Sequence, residues 1–497
     1  MTIPNNQFWT QTVFPFGGDE AYDYFGTSLI GADFNGDGQG DLAISTPKED
    51  IDRDINTGKV NAGKVNVLQG SSTGLTSTGR QLWDQDNLAG SYNEAYDRFG
   101  ETLISGDFNG DGYDDLAVGT PYEDWESTQD TGMLHIINGS YFGLTSTGNQ
   151  FFTQTTFPEG SNEEFDRFAS SLAAGDFDGD GYDDLAIGTP YEDYYGNTNT
   201  GKVNTLYGSA SGLTSTGSQF WLQTAFSGEV NNDGDRFGSS LATGDFDGDG
   251  YDDLAIGTPY EDDRNGNSNV GKVGILQGSA TGLTSKGSKQ WTQNSFPSNI
   301  ARDEEDDRFG SSLATGDFNG DGYDDLAIGA PYEDLKNGNV IDAGKVNTLY
   351  GFATGLTITG SQIWTQDDLI ESNPEAYDYF GTTLAVGDFN NDGYDDLAVG
   401  SPYEDINSIT DGGSVNIIYG SVFGLTTTGN QFWSQDVSRV NDIAEEYDNF
   451  GASLGVQDFN GDGYDDLAIG VPGEDLGGII DSGATQILYG SANGLVV

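Results

Sequence analysis

The sequence lacks cysteine and has few residues of several other chemically active kinds. Its 497 residues include no Cys, one His, 12 Pro and only 18 Lys plus Arg. Without cysteine the chain has no disulfide framework and no thiol chemistry, and a single histidine gives little support for Ser/His or Cys/His nucleophilic catalysis. Against 81 Asp plus Glu, the basic residues leave a formal net charge of −63. That balance excludes direct nucleic-acid binding, because a phosphate backbone requires a basic face.

Long apolar runs are also missing. No stretch of about 18 apolar residues occurs, and the amino-terminal residues MTIPNNQFWTQ contain no basic region followed by an apolar run. We therefore expect no membrane span and see no secretory signal, which leaves the export route open. The 75 Gly, 25 Tyr and 28 Phe indicate tight turns and short strands in a folded chain, since acidic disordered chains are poor in aromatics.

The chain is built from seven near-copies of residues 245–262, DFDGDGYDDLAIGTPYED. Successive copies lie roughly 70 residues apart, a length suited to one small sheet or propeller blade. We interpret residues 1–497 as a single domain of seven such units. The copies begin at Asp33, Asp107, Asp176, Asp245, Asp317, Asp388 and Asp458.

Each unit reads as four antiparallel strands. In the fourth unit we predict strands at residues 239–246, 253–258, 272–277 and 290–293. The first is rich in Gly, Ala and Ser, which suits the crowded axis of a propeller. The second is apolar on both faces, as expected of a sheet that is covered on both sides.

The two ends of the chain complement each other. Residues 7–11, QFWTQ, match the fourth strands of other units, whereas the seventh unit ends at Val497 after its third strand. The sequence therefore predicts an all-β fold, a seven-bladed β-propeller with four antiparallel strands per blade, whose ring is closed by the N-terminal strand. The Asp-rich loops after strand one then share a face with the GLTSTG turns after strand three. The variable loops after strands two and four, such as residues 49–57 and 294–308, occupy the opposite face, the better candidate for ligand recognition.

The Asp-rich stretch of the fourth unit has the pattern of a calcium loop. Oxygen-bearing side chains at alternating positions can surround a hard cation if the backbone curls around it, and the glycines between them permit that curl. A backbone carbonyl at position 7, here that of Tyr251, would add a ligand, but position 12 is Ile256 and the flanks read as strands, so this is not an EF-hand. The alternative is a set of metal-free Asp-Gly turns, which we disfavour because clustered carboxylates repel one another. Positions 1, 3, 5 and 9 are Asp245, Asp247, Asp249 and Asp253.

Residues 237–259, FGSSLATGDFDGDGYDDLAIGTP, resemble the FG-GAP repeat of integrin alpha-subunit propellers and of many bacterial surface or secreted proteins. Six units keep the Phe-Gly pair and the third has Phe168-Ala169, while Gly-Ala-Pro is complete only at residues 329–331. The resemblance covers essentially the whole chain. It implies a seven-bladed propeller, calcium in the Asp-rich loops, and a platform that binds ligands or partners. The Phe-Gly pairs begin at Phe25, Phe99, Phe237, Phe309, Phe380 and Phe450.

Carried over by motif position, the resemblance implies up to seven Ca²⁺ ions, one per blade. Units three and four have four carboxylates where the others have three plus Asn, so we expect these two to bind calcium most tightly. The implied side-chain ligands are Asp33, Asn35, Asp37 and Asp41; Asp107, Asn109, Asp111 and Asp115; Asp176, Asp178, Asp180 and Asp184; Asp245, Asp247, Asp249 and Asp253; Asp317, Asn319, Asp321 and Asp325; Asp388, Asn390, Asp392 and Asp396; and Asp458, Asn460, Asp462 and Asp466. The position 7 residues are Gln39, Tyr113, Tyr182, Tyr251, Tyr323, Tyr394 and Tyr464.

A second acidic group recurs on the face opposite the Asp-rich loops. We interpret it as turn-capping carboxylates that pair with arginines such as Arg98, Arg167, Arg236 and Arg308, in preference to a second cation site. Paired carboxylates can hydrolyse glycosides, but equivalent pairs in all seven units argue for structure. The Glu-Asp pairs begin at Glu49, Glu123, Glu192, Glu261, Glu333, Glu404 and Glu474, and an Asp precedes strand one at Asp23, Asp97, Asp166, Asp235, Asp307, Asp378 and Asp448.

The fourth-strand aromatics could stack on sugars, but we favour packing between blades. His135 lies on strand three, where we expect it to be half-exposed. The aromatics are Trp9, Trp83, Phe152, Trp221, Trp291, Trp364 and Trp433.

Together these patterns predict a non-enzymatic, calcium-stabilised scaffold of the adhesion type. We expect a protein or glycan ligand on the face opposite the calcium loops, and an extracellular or cell-surface location, where millimolar calcium would fill such loops. A glycan-binding lectin is the main alternative, and a hydrolase is a weaker one.

Overall fold

The computed structural model describes residues 6–14, 18–51, 59–158, 160–263, 266–296, 303–335, 338–438, 440 and 442–496. Most of the variable loop at 49–57 and part of that at 294–308 therefore lie outside the described residues. The described strands form seven four-stranded antiparallel sheets, each ordered from the first to the fourth strand of its unit.

Twenty-eight strands make up these sheets. Strand β1 (Gln7–Trp9) belongs to the sheet of the seventh unit. The first three units contain β2 (Leu29–Ala32), β3 (Asp41–Thr46), β4 (Lys64–Gln69), β5 (Thr76–Trp83), β6 (Thr102–Gly106), β7 (Asp115–Thr120), β8 (Met133–Asn138), β9 (Thr145–Phe152), β10 (Ser171–Gly175), β11 (Asp184–Thr189), β12 (Lys202–Tyr207) and β13 (Thr214–Trp221). The others contain β14 (Ser240–Gly244), β15 (Asp253–Thr258), β16 (Lys272–Gln277), β17 (Thr284–Trp291), β18 (Ser312–Gly316), β19 (Asp325–Ala330), β20 (Lys345–Tyr350), β21 (Thr357–Trp364), β22 (Thr383–Gly387), β23 (Asp396–Ser401), β24 (Ser414–Tyr419), β25 (Thr426–Trp433), β26 (Ser453–Gln457), β27 (Asp466–Val471) and β28 (Ala484–Leu488).

The helices of the described residues are single 3-10 turns that follow the outer strands. Each is three residues long, so none approaches the length or apolar character needed to cross a bilayer. They lie at Gln11–Val13, Gln85–Asn87, Gln154–Thr156, Gln223–Ala225, Gln293–Ser295 and Gln366–Asp368.

The ring closes between the two ends of the chain. Strand β1 pairs antiparallel with β28, with Gln7 opposite Ile487 and Trp9 opposite Thr485. The first strands of neighbouring sheets also contact one another all the way round, including β2 with β26. The predicted seven-bladed propeller, completed by its N-terminal strand, is confirmed.

The predicted strands of the fourth unit agree with the structure except at its outer edge. Strands β15 and β16 have the predicted bounds and β14 is shorter, but β17 runs from Thr284 to Trp291 rather than over 290–293. The prediction that GLTSTG is a turn is wrong. The turn comes earlier, where Gly282 N donates to Ser279 O at 2.7 Å, and the TSTG-type segment bulges within the outer strand around Gly287, which has a φ of +87°.

The core lies between adjacent blades. All six residues of β15 are buried, as they are in the second strand of every other sheet. The Phe of each Phe-Gly pair is buried too, for example Phe309 at 0% exposure. Burying one such ring is worth about 2–3 kcal/mol, so the blades stabilise one another mainly through these contacts. The outer aromatics Trp83, Phe152, Trp364 and Trp433 belong to the same inter-blade clusters, which confirms packing as their role.

His135 is fully buried, so the expectation of a half-exposed residue is wrong. It lies in the middle of its sheet, opposite Val118 and Phe151, and its Nε2 lies 3.0 Å from Ser91 Oγ. Burial lowers the pKa of the imidazole to about 3, so the ring is neutral at physiological pH. It is a packed core residue.

Candidate metal loops and the opposite face

The Asp-rich loops are shaped by their own position 1 carboxylate. In the fourth blade Asp245 Oδ1 accepts a hydrogen bond from Asp249 N at 3.0 Å, and its Oδ2 accepts one from Gly250 N at 2.9 Å. Gly248 and Gly250 have φ values of +70° and +87°, a backbone that glycine adopts without strain. The same pair of bonds recurs in all seven loops, so each loop curls around its first aspartate.

The position 9 aspartate is the most deeply buried of the four side chains at positions 1, 3, 5 and 9 in each loop. Asp253 is 1% exposed, and its Oδ1 accepts a hydrogen bond from Gly278 N at 2.8 Å, an anchor repeated in every blade. Burial raises the pKa of Asp253 to about 8, and the charges of Asp247, Asp245 and Asp249 also raise it. A divalent cation among these oxygens would offset both effects.

Carboxylate oxygens from three residues converge in the third and fourth blades. One carboxylate oxygen from each of Asp176, Asp178 and Asp184 lies within 4.8 Å of the others. In the fourth blade Asp245, Asp247 and Asp249 meet the same limit. Asp178 Oδ1 and Asp247 Oδ1 are buried and have no hydrogen-bond partner among the described residues. Buried acceptors that lack a donor are the groups a calcium ion would satisfy, so this donor set fits calcium.

The other five loops differ at position 3. There the Asn side chain donates to the position 9 carboxylate, as when Asn109 Nδ2 lies 3.1 and 3.0 Å from the two oxygens of Asp115. The amide oxygen stays available as a ligand, but the loop already satisfies part of its own negative charge. The equivalent contacts involve Asn35, Asn319, Asn390 and Asn460.

The residues at positions 7 and 8 of the Asp-rich stretches connect one loop to the next. These roles were not predicted from the sequence. The position 8 aspartate of a blade accepts the backbone N–H of the preceding blade's position 1, as when Asp245 N donates to Asp324 Oδ2 at 2.9 Å. The ring of Tyr323, at position 7, lies over Gly248 of the preceding loop, where a Cβ would come within 2.6 Å of Tyr323 Cε1. The recurrence of Tyr-Asp at positions 7 and 8 was a signal for this role.

The acidic residues of the opposite face are caps, as expected. Asp97 Oδ2 accepts Glu94 N at 2.5 Å, and Asp124 Oδ1 accepts Asp130 N at 2.8 Å. Both bonds recur in the other six blades. The carboxylates thus hold turns, which supports the structural interpretation of the Glu-Asp pairs.

The glutamate of each pair is buried at the junction of two blades. Gln85, just after the outer strand of the first blade, donates to Glu123 of the second at 2.5 Å. Burial is the largest cause of a raised pKa at Glu123, to about 9, with the charge of Asp97 next. Four blades provide a lysine at this glutamate: Lys64 to Glu49 at 2.5 Å, Lys202 to Glu192 at 3.3 Å, Lys272 to Glu261 at 3.0 Å and Lys345 to Glu333 at 2.8 Å.

The expected pairing of the capping aspartates with arginines is wrong. Among the described residues no ion pair joins Asp97 to Arg98, and the Arg98 guanidinium lies 4.2 Å from the ring centre of Tyr122 instead. Arg98 and its equivalents have φ near +55°, which turns their side chains away from the adjacent aspartate. In units two to five they stack in alternation with the tyrosine that follows the Pro after strand two. We call the set the Arg–Tyr ring: Arg98, Arg167, Arg236 and Arg308 with Tyr122, Tyr191, Tyr260 and Tyr332.

Exposed apolar side chains occur on both faces. Tyr92 and Tyr195, in loops after strands four and two, are 75% and 91% exposed. Phe142 and Phe423, in turns after strand three on the face of the Asp-rich loops, are 84% and 90% exposed. Exposure alone therefore does not choose between the faces.

Two integrin alpha subunits and a phospholipase match parts of this chain in sequence. Integrin alpha-PS2 of Drosophila melanogaster is 36% identical over 264 residues, which are 52% of this chain and 17% of that protein. Integrin alpha pat-2 of Caenorhabditis elegans is 32% identical over 257 residues, 49% of this chain and 18% of that protein. Human phosphatidylinositol-glycan-specific phospholipase D is 35% identical over 167 residues, 33% of this chain and 19% of that protein. The matches thus span about a fifth or less of these relatives.

A solved structure of rhamnogalacturonan lyase YesW aligns with 99% of this chain and 75% of that chain, with a TM-score of 0.41 and 14% identity, a likeness from which nothing is inferred about function. The FG-GAP repeat model matches residues 25–68, 99–137, 168–203, 237–276, 309–346, 380–418 and 450–488, more than half of the chain. These are the seven units, and each match begins at or next to the Phe that precedes strand one. The chain therefore belongs to the FG-GAP repeat family.

Proposed function

We propose that the chain is a calcium-stabilised adhesion-type scaffold, with ions in the loops of one face and a protein or other ligand on the opposite face. The observation that carries the proposal is the convergence of carboxylate oxygens in the Asp-rich loops of the third and fourth blades, where Asp178 Oδ1 and Asp247 Oδ1 are buried with no hydrogen-bond partner among the described residues. We further propose that residues 1–497 act as one domain, outside the cell, where millimolar calcium is available.

The calcium ions would have a structural role. Positions 1, 3, 5 and 9, with the carbonyl at position 7, would hold each ion, which supplies two positive charges between the end of strand one and the start of strand two. Seven such ions would bring the net charge from −63 to −49. Metal that binds only the folded state adds about 2.7 kcal/mol per site at a hundredfold excess over Kd.

We propose binding without catalysis. His135 is buried and neutral, and the repeated carboxyl pairs cap turns and join blades in every unit. A catalytic centre in a propeller would distinguish one blade from the rest, whereas these groups are equivalent in all seven. The integrin and phospholipase relatives extend far beyond the matched segments, so their whole-protein activities are not transferred to this chain.

The direct test is a calorimetric calcium titration of chelator-treated protein, with thermal melting in parallel. We expect about seven ions and a large rise in Tm, because each ion offsets repulsion among three or four carboxylates. Magnesium is the matched control, since it demands a tighter octahedral shell and should stabilise less. An unchanged Tm with no heat of binding would remove the metal from the proposal and leave the propeller intact.

The lectin alternative is separated by a glycan array probed with and without calcium. Reproducible calcium-dependent binding to one sugar class would favour a lectin. Failure on the array, with capture of a defined protein, would favour the adhesion-type scaffold.

A further inference from the structure

We propose that the cavity at the centre of the face opposite the calcium loops binds an oxyanion: a carboxylate, phosphate or sulfate group on a small molecule or at the end of a longer one. The inference deepens the proposed function and rests on it in one respect, because it names the chemistry of the ligand expected on that face.

The cavity is defined by five of the seven blades. It has a volume of about 630 Å³, and its wall includes Arg167, Arg236 and Arg308 of the Arg–Tyr ring. The residues that line it precede strand one or follow strand two, which places it at the inner ends of the sheets. A volume of this size is typical of small-molecule sites.

The wall carries net positive charge in a very acidic protein. Glu101 is the carboxylate among the lining residues, beside three guanidinium groups. Its oxygen is 3.9 Å from Arg98, and Asp130 is 4.0 Å from Arg167, so both contacts are at the limit of an ion pair. In the described part of the chain no carboxylate oxygen lies within 4.0 Å of Arg236 or Arg308.

The arginines also have hydrogen-bond donors to offer. The Nε–H groups of the ring's four arginines are buried and unpaired in the described part of the chain, so the terminal Nη groups are the donors that can reach a ligand. A guanidinium matches the two oxygens of a carboxylate or phosphate with parallel bonds. Three arginines, Arg167, Arg236 and Arg308, line the cavity in which an oxyanion would bind.

Stacking fixes these arginine side chains and covers tyrosine faces that could otherwise bind a cation. The Arg236 guanidinium lies 4.8 Å from the ring centre of Tyr191 and 4.2 Å from that of Tyr260, and Arg308 lies 5.0 and 3.9 Å from Tyr260 and Tyr332. Faces of Tyr191, Tyr260 and Tyr332 that could bind an ammonium or guanidinium group are therefore already occupied by the chain's own cations. Rigid donors lose little entropy when they bind an anion.

The net charge limits the ligand to a compact one. With −63 overall, the rim and outer surface repel any long polyanion laid across them. A single oxyanion group that reaches the axis is screened from most of that charge at physiological salt, where the Debye length is about 8 Å.

The test is calorimetric titration of the calcium-loaded full chain with D-glucuronate and, separately, with sodium sulfate. D-Glucose and sodium chloride are the uncharged and monovalent controls. We expect saturable millimolar binding of at least one oxyanion, and the preferred probe distinguishes a carboxylate from a tetrahedral anion. No saturable binding of either probe, or tighter binding of heparin than of both, would overturn the proposal.

Substitutions of the cavity arginines test whether the oxyanion binds at this site. The double variant Arg236→Gln, Arg308→Gln should weaken binding about tenfold, whereas Arg80→Gln should leave it unchanged. Arg80 is the matched control because it lies on an outer strand, with its Nη1 bonded to Ser77 O at 2.8 Å. If near-UV circular dichroism shows that the double variant is misfolded, Arg236→Lys decides, since it keeps the charge and loses the planar fork. Equal affinity in that variant contradicts the proposal. The calcium titration is scored independently, so failure of one does not imply failure of the other.

Discussion

At the residue scale, the buried lysines decide the charge state of the inter-blade glutamates. Lys345 Nζ lies 2.8 Å from Glu333, with the two side chains 0% and 4% exposed. Replacing Lys345 by Met leaves Glu333 buried without its cation, so it must take up a proton to remain in the fold. We expect the free energy of unfolding to fall by about 3 kcal/mol near neutral pH.

The sign of the pH dependence follows from the same pair. Burial raises the pKa of Glu333, and the charge of Lys345 opposes that rise. In the variant the folded state binds a proton that the unfolded state releases, so the loss of stability grows as pH rises above the ordinary Glu pKa. Urea unfolding at about pH 5 and about pH 8 measures this, with the exposed Lys286→Met as control. Equal losses at the two pH values would contradict the argument.

The residue at position 3 of an Asp-rich loop should affect the calcium affinity of that loop. Asp178→Asn makes the third loop resemble the Asn-bearing loops, and Asn319→Asp gives the fifth loop a fourth carboxylate. We expect the first change to weaken its site roughly tenfold and the second to strengthen its own, because ligand charge tunes calcium affinity. A site-resolved titration checks both, and opposite shifts would refute the assignment of position 3 as a ligand.

The role of a single residue was predicted correctly from the sequence where one local interaction determines that role. Asp97 is predicted to cap a turn, and its Oδ2 accepts the N–H of Glu94, three residues earlier. Arg98 was assigned to its nearest charge in sequence, yet a left-handed backbone turns it toward Tyr122, which is more than 20 residues away in sequence. His135 was judged from a strand pattern that does not reveal the loop residue Ser91 covering it.

At the element scale, one junction between blades differs from the other six. Elsewhere a Gly precedes position 1, or Ala32 in the first blade, and the next blade's position 8 is Asp. Between the seventh and first blades these residues are Gln457 and Gly40, and Gln457 Oε1 accepts the Asp458 N–H at 3.0 Å. A Cβ on Gly40 would lie 2.0 Å from Gln457 Cγ. The two exceptions therefore compensate each other.

A double-mutant cycle tests that compensation. Gly40→Asp alone should destabilise the fold by about 1–3 kcal/mol through overpacking, and Gln457→Gly alone should cost about 1 kcal/mol through the lost hydrogen bond. Together they recreate the Gly and Asp pair of the other junctions, so the double variant should be more stable than the sum predicts by at least about 1 kcal/mol. Additive losses in urea unfolding would show that the two residues do not act as a pair.

Element boundaries were predictable where burial is uniform and not where the backbone is irregular. Strands β15 and β16 have the predicted bounds because each is a continuous apolar run or alternates cleanly. The outer strand begins with Thr and Gly residues that are common in turns, and only its pairing with Gln277 identifies Thr284 as strand. Propensity favoured a turn there, and pairing with the neighbouring strand overrode it.

At the scale of the whole molecule, the acidic surface should make stability depend on salt. Without calcium, raising sodium chloride from about 0.02 M to about 0.5 M shortens the Debye length from roughly 20 Å to a few ångströms and screens the repulsion. We expect Tm to rise with salt in chelator, and to rise less when the loops hold calcium. Thermal melting in the four conditions measures the difference, and an equal salt effect with and without calcium would mean that the loops are not the main source of repulsion.

The junction between the seventh and first blades also affects how the ring closes. Because the seven units are so similar, the chain could misfold by pairing the wrong blades, by exchanging blades between two chains or by closing a ring of six blades. Misassembly and domain swapping of this kind are typical failures of repeat proteins. Gln457 Cγ lies 2.0 Å from where a Cβ on Gly40 would stand, so an Asp at position 8 would clash with it. We therefore expect closure between the last and first units to be favoured over any junction that sets Gln457 beside an Asp. Gln457 and Gly40 thus identify the junction at which the two ends of the chain meet, in a ring whose other junctions carry equivalent residues.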